Sequence, residues 1–145
     1  MRVLATILLI WTVALPAGAE PVREFDQMVS GSRAENGLGP VRTNPKLEQA
    51  AERHAQDMAK RGFFSHTGSN GSSVGKRARW AGYRFCVIAE NIAKGQRSAA
   101  EAMQSWMTSP GHRRNLLDRR MKEIGVARAP GNVWVMVLGA QLQSC

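Results

Sequence analysis

The chain is poor in several things at once. Two of its 145 residues are cysteine, one is tyrosine, and Phe, Trp and Tyr together make up 6%. Two cysteines placed at 86 and 145 supply neither a CxxC pair nor a zinc knuckle. So few aromatics argue against a stacking platform for single-stranded nucleic acid. There is no HExxH, no P-loop and no dinucleotide fingerprint, which removes the familiar helical zinc-protease, phosphate-cradle and Rossmann signatures. Acids are scarce too, 11 against 20 Lys and Arg, for a net charge of +9. That balance favours an anionic partner without choosing between nucleic acid, membrane and acidic glycan. Repeats, low-complexity tracts and internal linkers are absent. A hydrophobic share of 43% and a charged share of 21% are those of an ordinary globular chain about one domain long.

The one long apolar run is at the start. Met1-Arg2 gives a positive beginning, Val3 to Leu15 is apolar, and Pro16 and Ala17-Gly18-Ala19 follow. A 13-residue run is too short to span a bilayer. Charge, apolar core and small-residue site together predict a secretory signal peptide over residues 1–19 and one domain over 20–145. Removing the leader takes only Arg2, leaving 126 residues with 19 bases against 11 acids. The basicity therefore belongs to the domain. Export, to a secreted or periplasmic location, argues against nucleic acid as a partner and makes disulfide chemistry natural. Cys86 and Cys145 are expected to pair, the alternative being a lone reactive Cys86 with no base beside it in sequence.

Along the domain, Phe25, Met28, Val29 and Ser32 have helical spacing over Arg23 to Glu35, ending at Asn36-Gly37. Asn44-Pro45 predicts an N-cap followed by proline in the first turn. Leu47, Ala50, Ala51, His54, Ala55 and Met58 then share one face up to Arg61-Gly62. Ser65 to Ser73 is a small-polar loop. A short helix is expected over Gly75 to Ala81 and a strand over Tyr83 to Ile92. Ser98 with Glu101 makes a capping box for a helix burying Ala102, Met103 and Trp106, which breaks at Ser109-Pro110-Gly111. A short helix through Asn115 to Leu117 follows. Glu123 to Ala129 and Val133 to Gln141 read as strands joined by Pro130-Gly131-Asn132. Val133 to Leu138 is apolar throughout, so both faces of that strand should be covered. Helices followed by a late hairpin give an α+β fold or a layered α/β/α sandwich.

Gly71-Ser72-Ser73-Val74-Gly75 matches G-x-S-x-G, but a nucleophile elbow needs a strand before it, and here a polar loop precedes. Among the histidines, His54 lies on an apolar helical stripe, where imidazoles are packed and hydrogen-bonded. His66 sits in a polar loop, free to serve a site. His112 opens a helical turn, whose N-terminus disfavours imidazolium. Glu90-Asn91 interrupts an apolar run, and a carboxylate there is costly unless it is paired. It marks either a site or a structural tie between two segments. Two imidazoles and a carboxylate suit an open His₂Glu zinc shell or proton transfer.

The mature chain resembles the CAP superfamily, the cysteine-rich secretory, antigen five and pathogenesis-related proteins, and most of all its compact bacterial SCP-like branch. The resemblance runs in family order over nearly the whole domain. It starts with Arg33 and Gly37 to Pro40, then His54 to Ala59 and Phe63 to His66, with Gly71, Arg77 and Gly82-Tyr83. Its most specific blocks are Ala89 to Ala93 with Gly95, and Trp106 to Arg113 with Asn115 to Leu117. Glu123 to Ala127 and the strand around Trp134 complete it. The resemblance implies a three-layer α-β-α sandwich with a central antiparallel sheet. It also implies a shallow cleft with a two-histidine, two-glutamate tetrad that holds a divalent metal in some members. By motif His66, His112 and Glu90 fall in that tetrad. The second glutamate belongs near Thr108-Ser109, where this chain has no acid, and Glu123 is the one substitute suggested.

These features together predict an exported, monomeric, non-catalytic module that binds a lipid or envelope glycan, with a cleft that could hold Zn2+ or another divalent metal. A metal-dependent or metal-free hydrolase using His66, Glu90 and His112 is the alternative. A structural protein held by its charge to an anionic envelope surface is the third.

Overall fold

The structure, a computed structural model, describes residues 20–145; the leader expected over residues 1–19 lies outside them. The elements are α1 (Glu20–Glu35), β1 (Arg42–Thr43), α2 (Pro45–Arg61), α3 (Val74–Trp80), β2 (Phe85–Lys94), α4 (Ala99–Thr108), α5 (Pro110–Leu116), β3 (Glu123–Ala129) and β4 (Val133–Gln141), with a final 3-10 turn at Leu142–Ser144. Among the described residues no helix is long and apolar enough to cross a membrane.

The four strands lie in the order β1-β3-β4-β2. β4 is central, antiparallel to both β3 and β2, and every residue from Val133 to Ala140 is buried. Successive side chains of a strand point to opposite faces, so β4 feeds two cores. Trp134, Met136 and Leu138 join Phe25, Val29, Met103, Trp106 and Leu116 from α1, α4 and α5. Val133, Val135 and Val137 join Leu47, Ala51, Ala55 and Met58 of α2 and Ala78 of α3. The result is an α+β sandwich with helices on both faces of the sheet. The sheet is mixed rather than wholly antiparallel, because β1 runs parallel to β3, with Arg42 opposite Glu123.

Local chemistry sets the helix ends. The Asn44 side chain accepts from the Lys46 amide at 2.9 Å, Pro45 occupies the first turn, and Gly62 closes α2 at φ 69°. Ser98 accepts from the Glu101 amide, and the Glu101 carboxylate reaches back to the Arg97 amide, one residue earlier than a standard capping box. Helix α5 begins directly at Pro110, so Ser109 ends one helix and opens the next. β2 starts two residues later than expected. Gly82, at φ 79°, turns the chain out of α3, and Tyr83 packs across the sheet. A Cβ on Gly139 would stand 2.9 Å from its ring.

Two long-range ties complete the frame. Arg33 is buried at 1% exposure and has no ion-pair partner among the described residues. Its guanidinium donates to the carbonyls of Gly39, Leu116, Asp118 and Met121, fastening the end of α1 to the α5–β3 connection. Cys86 at the start of β2 forms a disulfide with Cys145. The pair spans 59 residues of sequence, and closing a loop of that order stabilises by about 4 kcal/mol in the chain-entropy picture. Replacing both cysteines by serine is therefore expected to lower the unfolding free energy by about that amount while leaving the far-UV circular dichroism unchanged. Urea denaturation of the two proteins measures the difference.

Candidate functional site

The site is built around Glu90, on β2 opposite Val137. Its side chain faces the α2 and α3 layer, while that of Asn91 faces α5. Asn91 donates to the His112 carbonyl at 3.1 Å and accepts from Asn115 at 2.9 Å. Asn115 also reaches the Glu90 carbonyl at 3.5 Å. One dipeptide therefore ties the two helical layers together across the end of the sheet, which answers the structural half of the sequence reading.

The Glu90 side chain is 2% exposed and both its oxygens are engaged. Arg77, itself buried on the inner face of α3, donates from Nη2 to Oε2 at 2.7 Å. His66 donates from Nδ1 to Oε1 at 2.8 Å. The same guanidinium binds the Ser72 carbonyl at 2.6 Å and the His66 carbonyl at 3.0 Å. Arg77 thus fixes both ends of the polar loop and the carboxylate together. His54 lies behind, with Nε2 3.8 Å from Glu90 Oε1 and 2.8 Å from the Ser65 carbonyl. A carbonyl only accepts, so His54 carries its proton on Nε2. Its buried Nδ1 has no partner among the described residues. The expectation of a packed, hydrogen-bonded histidine holds for one nitrogen of the ring.

The three imidazoles are tuned apart. The hydrogen bond it donates to Glu90 raises His66 above its ordinary 6.5, against the opposing effect of burial. Burial holds His54 below that value, against the pull of Glu90. Burial, then the neighbouring His66, lowers His112. His112 is thus biased toward neutral as the sequence suggested, but by desolvation and a second imidazole. His66 and His54 carry opposite pH signs. His66 contributes stability that is complete below pH 6.5 and lost as pH rises through its folded value. His54 contributes stability present above pH 6.5 and lost as pH falls, because the unfolded ring then takes up a proton that the buried one resists. In an NMR titration the His66 ring should show a midpoint above 6.5, and Glu90→Gln should lower it. A midpoint unmoved by that substitution would refute the pairing.

Glu123, suggested as the missing acid, sits elsewhere. Its carboxylate accepts from Tyr83 at 2.7 Å, from Asn44 at 3.0 Å and from Gln141 at 3.1 Å. Burial alone would raise it; these three partners together hold it below the usual carboxylate range. None of its hydrogen bonds goes to His66, Glu90 or His112. At the position where the tetrad's second glutamate belongs, the Thr108 hydroxyl turns back onto the Gln104 and Ser105 carbonyls. Among the described residues no three of His, Cys, Asp and Glu are grouped to hold a metal ion. Glu90 already answers to a guanidinium and an imidazole. Ser73 of the G-x-S-x-G match is the N-cap of α3, accepting from the Lys76 amide. Arg77 is the residue that sequence reasoning underrates, naming it only within the resemblance. An arginine 13 positions before an isolated buried acid is the signal that could have found it.

A groove of about 450 Å³ runs between the end of α4 and α5, lined by Met107, Thr108, Pro110, Arg113, Arg114 and Leu117. It has an apolar wall and two guanidinium groups.

A profile described as "CAP: Cysteine-rich secretory protein family" matches residues 27–138. The chain is 31% identical over 109 residues to the uncharacterized protein YkwD of Bacillus subtilis, covering 74% of this chain and 42% of that one. It spans less than half the length of that relative. Among solved structures it is similar to an extracellular protein containing an SCP domain from Bacillus anthracis. The TM-score there is 0.82 at 21% identity, covering 91% of this chain and 46% of that one. It is also similar to an outer surface protein of Borrelia burgdorferi. That match has a TM-score of 0.77 at 20% identity, covering 85% of this chain and 94% of that one.

Proposed function

The chain belongs to the cysteine-rich secretory protein family, and from that premise we propose that it is an exported, non-catalytic binding module. Its ligand is an anionic lipid or envelope glycan lying in the α4–α5 groove. The observation that carries this reading is the saturation of Glu90. A carboxylate 2% exposed and held by Arg77 at 2.7 Å and His66 at 2.8 Å has both oxygens engaged within the protein, which supports a structural role. The extracellular description of the Bacillus anthracis protein and the outer-surface description of the Borrelia one support an exported location. Met107 and Leu117 suit an apolar body and Arg113 and Arg114 an anionic head.

The test is a binding titration of the exported protein with anionic phospholipid and with envelope glycan fragments. Saturable binding is expected, weakened on the order of thirtyfold when Arg113 and Arg114 are both replaced by glutamine, since each cation near an anionic surface contributes about fivefold. A second reading rests on the His66–Glu90 pair. It orients an imidazole whose side chain is 57% exposed, the geometry of a general base backed by a carboxylate. Turnover of an ester, amide or glycoside, abolished by His66→Ala in a chain that still folds, would overturn the first reading in favour of the second.

A further inference from the structure

Helix α3 is two-sided. Gly75, Arg77 and Ala78 are buried. Lys76, Arg79 and Trp80, spaced i, i+3 and i+4 and hence on one face, are exposed. Trp80 is 50% exposed, whereas Trp106 and Trp134 are buried. The Lys76 ammonium lies 5.2 Å from the centre of the Trp80 ring, and the Arg79 guanidinium 4.7 Å from that of Phe85. Lys46 comes to the same end of the helix, its Cε 3.8 Å from where a Cβ on Gly82 would stand. The sequence around this face holds no acid at all between Asp57 and Glu90, yet carries Lys60, Arg61, Lys76, Arg77, Arg79 and Arg84. Of these, Arg61 and Arg77 are matched by Asp57 and Glu90. The others have no carboxylate partner among the described residues.

We propose that this outer face of α3 docks the protein onto an anionic lipid bilayer. Trp80 enters the headgroup region, and Lys46, Lys76 and Arg79 meet lipid phosphates. An indole has an apolar body and one polar tip, and it settles where the membrane changes from apolar to wet. Cations beside it are drawn to an anionic leaflet. A glycan fits less well, because sugars stack on an open ring face and Lys76 covers one face of Trp80. The proposal is independent of the cleft. Arg77 is buried and turned to Glu90, so docking through the exposed residues of α3 leaves the Glu90 cluster untouched.

The experiment uses protein recovered after export, mixed with phosphatidylcholine vesicles with and without phosphatidylglycerol, and reads co-sedimentation and tryptophan fluorescence. Expected are salt-sensitive binding only where phosphatidylglycerol is present, and a blue shift that Trp80→Phe removes. Replacing Lys76 and Arg79 by glutamine should weaken binding on the order of thirtyfold. Because Arg79 touches Phe85, Lys76→Gln alone is the control for altered packing, with a loss of about fivefold. Equal binding by these variants, no binding to phosphatidylglycerol vesicles, or Trp80-dependent binding to dextran sulfate instead of vesicles would each overturn the proposal.

Discussion

Replacing Arg77 by alanine should lower the unfolding free energy by about 3–5 kcal/mol, a large part of the roughly 5–15 kcal/mol that holds a domain of this size. The reason lies in what is left behind. Arg77 and Glu90 have side chains 4% and 2% exposed, so the deletion leaves a carboxylate in the interior with His66 as its hydrogen-bond partner and His54 at 3.8 Å. It also frees the Ser72 and His66 carbonyls that fasten the polar loop. Lysine should not rescue the loss, because one ammonium cannot serve three acceptors spread along a planar fork. A double replacement, Arg77→Met with Glu90→Leu, should recover most of the stability, since removing both members of a buried pair is often neutral. Urea denaturation of the two singles and the double makes the cycle. If the double is as unstable as the Arg77 single, the cost comes from the freed carbonyls and the ion pair matters little.

Gly125→Ala should do comparable or greater damage for an unrelated reason. Gly125 lies on β3 where α2 crosses it, and a Cβ there would fall on the backbone of Leu47 and Glu48 and within 2.6 Å of the Leu47 Cβ. Backbone cannot rotate aside as a side chain can, so α2 must move off the sheet. That would open the core formed by Leu47, Ala51, Ala55 and Val137. A loss above about 4 kcal/mol is expected, in the range reserved for severe core disruption. Near-UV circular dichroism should weaken with it. Gly31→Ala is the matched control. Gly31 is on α1 with nothing within 4 Å of an added Cβ, and alanine there should stabilise by up to about 1 kcal/mol through helix propensity. If Gly125→Ala melts like the parent, helix and strand are not in backbone contact.

Most elements are legible in the sequence because their signals are local. The Asn44-Pro45 cap, the Ser98–Glu101 pair and the uninterrupted apolar run of β4 each state their structure within a few residues. β1 is not legible, because two residues carry no period and exist as a strand only through pairing with β3. The strand start at Phe85 is easily misplaced because Tyr83 has strand chemistry but is spent on packing over Gly139. At the site, Glu90 announces itself as an acid among apolar residues, and the loop position of His66 suggests availability. What stays hidden is pairing. Sequence cannot say that Arg77, rather than a metal or a second acid, answers Glu90. Nor can it say that Glu123 is occupied by Tyr83, Asn44 and Gln141. Both depend on which way a side chain leaves its element, and three-dimensional packing decides that.

β2 is the last strand of the sheet on its side, and a ten-residue strand with an open flank invites a second chain to add itself. The Ile92 carbonyl is taken by the Trp106 indole at 3.1 Å, and the Glu90 carbonyl by Asn115 at 3.5 Å. Carbonyls two residues apart point the same way, so both occupied groups lie along one flank. The side chains that join the helical layers to the sheet thereby also screen the stretch of strand carrying Glu90 from intermolecular pairing. Two of the acceptors that an added strand would need beside the central carboxylate are thus taken by contacts that join the helical layers to the sheet.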